Sequence, residues 1–69
     1  MILADFLDVI DDDSVLTIYY QSSNKGIDRL KIRAMDIPAR FIKECVKYIE
    51  PDYGTGDYYI CLKGVINRK

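Results

Sequence analysis

Residues 38–50 read PARFIKECVKYIE, and the fold of the chain turns on what this stretch becomes. Pro38, Phe41, Ile42, Cys45, Val46 and Ile49 fall at i, i+3, i+4, i+7, i+8 and i+11. That spacing predicts one apolar stripe along a helix, with Arg40, Lys43, Glu44 and Lys47 facing water. Asp36 or its neighbour supplies a cap, and Pro38 suits the first helical turn, where its missing N–H is no loss. Pro51 forbids continuation beyond Glu50. Cys45 is expected on the buried face of this helix.

On either side the pattern changes to strands. Residues 15–21 are rich in β-branched and aromatic side chains and predict a strand. Residues 22–26 form a turn cluster, and residues 27–34 predict the returning strand of a hairpin. After a loop over residues 53–56, residues 57–63 predict a third strand, and residues 64–69 a short tail. At the start, Leu3, Phe6, Leu7 and Ile10 stand at helical spacing with Asp5 and Asp8 opposite, about two turns that hold only by packing. Asp11, Asp12, Asp13 and Ser14 end that helix.

The order is α-β-β-α-β, an α+β fold. A three-stranded, mostly antiparallel sheet carries the main helix across one face, in a single small domain over residues 1–69. A sheet covered on one side needs alternation, and all three strands have it. The expected core is Leu16, Ile18, Leu30, Ile32, Ile42, Cys45, Val46, Ile49, Ile60 and Leu62. The opposite face displays Thr17, Tyr19, Arg29, Lys31, Arg33, Tyr59, Cys61 and Lys63.

Composition bounds the function. The chain has 69 residues, is 49% apolar and 30% charged, and is therefore globular rather than disordered in character. A domain of this size buries only about 60% of its unfolded surface, so self-association is expected. A net charge of −1 excludes a generally basic nucleic-acid binder and a generally acidic mimic of DNA. Without His, the usual neutral-pH general base and every His-containing zinc site are gone. Two cysteines are too few for a disulfide framework or a four-thiolate site, and Cys45 and Cys61 are expected on opposite sides as free thiols. Asp5 and Asp8 stand where a secretory signal has basic residues, and no apolar run approaches the roughly 18 residues of a membrane span. A cytoplasmic protein with no membrane partner is expected.

Three features bear on function. Charge is segregated: residues 1–24 hold five Asp and no Lys or Arg, whereas residues 25–49 hold seven basic and three acidic residues. Such asymmetry points to a charged partner or to contact between copies, and equally suits a small protein that solvates itself. Next, Arg29, Lys31 and Arg33 lie in a row between Tyr19 and Tyr59, with Lys63 on the same face. Cations for phosphates and rings for bases are what open-sheet single-strand binders use. Tyr and Arg equally make protein interfaces, and a solvated face is the bland alternative. Last, Asp11, Asp12 and Asp13 follow Asp8 at a helix C-terminus, where carboxylates oppose the dipole. They are ordinary turn residues, or a site where Mg²⁺ keeps most of its waters.

Catalysis has little support. Ser14, Ser22 and Ser23 have no His to activate them, and Gly54 and Gly56 precede a strand rather than a helix. The inventory permits one chemistry: metal-dependent nicking of a phosphodiester, with Tyr or metal-bound water as nucleophile. No catalytic residue is assigned, and no cofactor beyond that Mg²⁺.

The opening from Leu3 to Asp13, followed by Leu16, Thr17, Ile18, Tyr19 and Tyr20, resembles the short accessory proteins encoded in phages and prophages of Firmicutes. These commonly begin with a hydrophobic-x-Asp-Phe/Leu-Leu-x-x-Ile helix, an acidic turn and a strand. Met35, Asp36, Ile37 and Pro38 are similar to their hydrophobic-Asp-Ile-Pro turn. The resemblance implies a protein that binds and disables a host or defence system, of which anti-CRISPR proteins are the best-known class. Its motifs are structural, so no site residue is carried over. The residues themselves leave open direct binding of a protein target, nucleic-acid binding, and a structural homo-oligomerisation module.

Overall fold

The run Val15, Leu16, Thr17, Ile18, Tyr19 and Tyr20 packs best on a pleated surface, and it forms the long strand β1 (Val15–Ser23). The computed structural model describes residues 1–23 and 26–65. Strand β2 (Gly26–Arg33) returns antiparallel, with Leu16 opposite Ile32 and Ile18 opposite Leu30. The expected hairpin is therefore present, with Ser22 and Ser23 drawn from the turn into β1. The turn residues Asn24 and Lys25 lie outside the described residues. So do residues 66–69 of the expected tail, whereas Gly64 and Val65 extend strand β4 (Tyr58–Val65).

The helix expected over residues 38–49 is replaced by two elements. Helix α2 is a single turn, Ala39–Ile42, with Pro38 at its N-cap and no side-chain cap. The chain then enters strand β3 (Val46–Pro51), which pairs antiparallel with β4. The register explains the misleading spacing. Val46 faces Leu62 and Tyr48 faces Cys61, so Lys47 is an extra residue in a bulge. The bulge puts Val46 and Ile49, three apart, on the same face, which copies the helical period. Asp36, expected as a cap, ends a 3₁₀ turn over Ala34–Asp36.

The sheet thus has four strands in the order β2-β1-β4-β3, and it is mixed because β1 and β4 run parallel. Two hairpins lie side by side through their inner strands. The link from β2 to β3 runs from one sheet edge to the other, carrying the 3₁₀ turn and α2, and helix α1 (Leu3–Leu7) packs beside α2.

Leu3, Phe6, Ala34 and Phe41 close over Leu16, Ile18, Tyr20, Ile60 and Leu62 to make the core. Phe41 meets Tyr20 edge-on at 4.9 Å, and Phe6 meets Tyr58 at 5.2 Å. Of the expected core, Leu16, Ile18, Ile60 and Leu62 are buried, and Leu30, Val46 and Ile49 pack against its margin. Ile32 and Ile42 are only half-buried. Cys45 is exposed, because the helix ends at Ile42 and Cys45 sits in an extended bridge to Ile2. The Leu3 N–H donates to the Glu44 carbonyl at 2.9 Å, the Val46 N–H to Met1 at 2.8 Å and the Lys63 N–H to Cys45 at 2.8 Å. No helix among the described residues is long and apolar enough to cross a membrane.

Candidate functional site

With both helices on one side of the sheet, the other side is left open among the described residues. Register assembles it in rows. Lys31 stands beside Thr17, Thr17 beside Tyr59, and Tyr59 beside Glu50 of β3. In the next row Arg29, Tyr19, Cys61 and Tyr48 follow one another across all four strands. Thr17 is buried although it lies on the open face, because taller neighbours stand on both sides. It floors a hollow of about 320 Å³ whose other walls are Tyr19, Arg29, Lys31 and Tyr59.

Four of the six predicted binding residues therefore meet in one place. Arg33 lies at the far end of the strand, 4.0 Å from the Asp13 carboxylate. Lys63 belongs to a second hollow of about 290 Å³, where β4 bulges away from β1 between the Tyr19–Cys61 and Gln21–Val65 pairs. Lys47 and Cys61 share that hollow, and Tyr19 stands between the two. Gly64 adopts φ +76°, which the bulge requires and a side chain would resist.

The two tyrosines form one platform. Their ring centroids are 6.3 Å apart with planes inclined at 30°. A base between them would need about 7 Å, twice an ordinary contact distance, so stacking is confined to the outer surface. The Tyr59 hydroxyl donates to Asp52 Oδ2 at 3.0 Å, and the Gly54 N–H donates to Asp52 Oδ1 at 3.0 Å. These bonds hold the Asp52 carboxyl below its ordinary pKa, the Gly54 N–H contributing most, and the same carboxylate raises the Tyr59 hydroxyl. Tyr48 is raised too, chiefly by its electrostatic interaction with the neighbouring Cys61. The face is thus polarised, with Arg29 and Lys31 on the β2 side and Glu50 and Asp52 on the β3 side. Among the described residues no carboxylate pairs with Arg29 or Lys31.

Compared with known families, curated proteins and solved structures, the chain matches none of them.

Asp11, Asp12 and Asp13 form an exposed turn whose backbone is used structurally. The Asp11 carbonyl accepts from Ser14 at 3.0 Å and the Asp12 carbonyl from Met35 at 3.1 Å, which pins the turn to the end of β2. Among the described residues no three His, Cys, Asp or Glu side chains are gathered as metal ligands. Tyr48, Glu50 and Asp52 are the face residues that sequence periodicity missed. Tyr48 is 48% exposed, and the strand-favouring run Val46, Lys47, Tyr48, Ile49 was the signal that it belonged to a sheet.

Proposed function

We propose that the chain is a small non-enzymatic accessory protein that acts by direct binding through its open sheet face, interfering with a host or defence system. The observation that supports this is the meeting of Tyr19, Tyr59, Arg29 and Lys31 around one hollow on a face that no element among the described residues covers. Two cations without an ion-pair partner among the described residues, beside two aromatic rings, form a recognition surface, since Arg and Tyr concentrate binding energy. The phage-type opening of the chain supplies the setting.

An interference assay tests it. Cells carrying a defence system are challenged with phage or plasmid while expressing either the wild type or Arg29→Gln/Lys31→Gln. The wild type is expected to restore survival of the invader, and the double variant to lose that effect at equal expression. No rescue across the tested systems, or equal rescue by both proteins, overturns the proposal.

A further inference from the structure

We infer that the ligand of the open face is single-stranded nucleic acid. The inference rests on the preceding assignment of that face and adds the chemical class of what it holds. Charge and shape point the same way. Arg29 and Lys31 have no carboxylate partner among the described residues, although the chain as a whole is slightly acidic. Unpaired guanidinium and ammonium groups at the rim of a hollow suit phosphate oxygens, which replace the missing counter-charge.

The hollow also provides what bases need. Tyr19 and Tyr59 lie nearly side by side, and the Asp52 bond fixes Tyr59 from its hydroxyl end while leaving the residue 36% exposed. A ring held this way loses little freedom when a base stacks on it. Paired bases in a duplex keep their faces covered, so stacking selects single strands. Beyond Tyr19 the second hollow, with Lys47 and Lys63, continues the positive track across the sheet. Glu50 and Asp52, toward the far end of β3 from Lys47, repel phosphate, which keeps the backbone on the track from Arg29 and Lys31 to the second hollow.

The experiment is a fluorescence titration of labelled oligothymidylate of about 15 nucleotides, and of a matched duplex, with the full chain. The single strand is expected to bind more tightly. With two to three phosphates neutralised, raising salt from about 50 to 200 mM should weaken binding about 7- to 20-fold. Arg29→Gln/Lys31→Gln should flatten that dependence. Tyr59→Ala should lose about 5-fold or more in affinity, and Tyr59→Phe, which keeps the ring but not its bond to Asp52, should lose less than that. Thermal melts confirm that the variants fold. Absence of binding by the wild type at about 50 mM salt, or binding indifferent to both sets of substitutions, overturns the inference. If the oligonucleotide fails while Arg29→Gln/Lys31→Gln still loses interference in cells, the face stands and its ligand is a protein. If both fail, the face assignment falls as well.

Discussion

Asp52 ties the β3–β4 loop to the open face with a single carboxylate. One oxygen accepts from the Gly54 N–H and the other from the Tyr59 hydroxyl. Its pKa is depressed on folding, so its contribution is present above the unfolded value near 3.8 and is lost as pH falls through the folded one. For Tyr59 the sign reverses. Its pKa is raised, so its contribution is present below about 10 and is lost as pH rises through the folded value. In Tyr59→Phe the Asp52 carboxyl should titrate higher than in the wild type yet stay below 3.8, because the Gly54 bond remains. Carbon-detected NMR titration of that carboxyl checks this, and an unmoved pKa would show that the hydroxyl contact does not persist in solution. In the same loop Gly56 adopts φ +81°, with nothing within 4 Å of an added Cβ. Gly56→Ala should therefore cost about 1–2 kcal/mol of purely conformational origin, visible as a lower chemical-denaturation midpoint. Phe41, fully buried, is a harsher case: Phe41→Ala should lose about 3–5 kcal/mol, most of what a domain this small has.

Among the elements, β1, β2 and β4 were legible because two-residue alternation survives wherever a strand is regular. Leu16, Ile18 and Tyr20 point one way and Thr17 and Tyr19 the other, in the sequence and in the sheet alike. The stretch from Pro38 to Glu50 was illegible for a physical reason. One helical turn holding Phe41 is followed by a bulged strand, and together they reproduce the spacing of a continuous helix. The larger part of the candidate site was readable, since Tyr19, Arg29, Lys31 and Tyr59 lie on regular strands. Tyr48, Glu50 and Asp52 depended on β3, and the pairing of β1 with β4 depended on long-range register that no local pattern encodes. The arrangement has an observable consequence. Strands β1 and β4 are inner, whereas β2 and β3 are edges. In hydrogen exchange the amides of Ile18 and Ile60 should be the slowest and should exchange together, with those of β2 and β3 ahead of them. Equal protection across residues 39–50 in a single helical pattern would contradict the bulged strand.

At the scale of the whole molecule, the two sheet edges are finished differently. The start of β3 is taken up by Met1 and Ile2, and the strand ends at Pro51, which has no N–H to offer. Among the described residues strand β2 has no partner on its outer side, so the self-association expected of so small a domain has its open route there. Two copies joined antiparallel through β2 would make one eight-stranded sheet with both open faces on the same side. The registers centred on the middle of β2 set basic residues against basic residues, with Arg29 across from Lys31 or Lys31 across from itself. Like charges directly opposed destabilise a strand pair, and salt relieves them as the screening length drops from about 10 Å at 0.1 M to about 3 Å at 1 M. Sedimentation equilibrium should therefore show the dimer fraction rising over that range, the opposite trend to oligonucleotide binding. Lys31→Gln, which removes one opposed charge from each copy, should move the rise to lower salt. A mass that falls with salt, or that ignores Lys31→Gln, would place any self-contact away from β2.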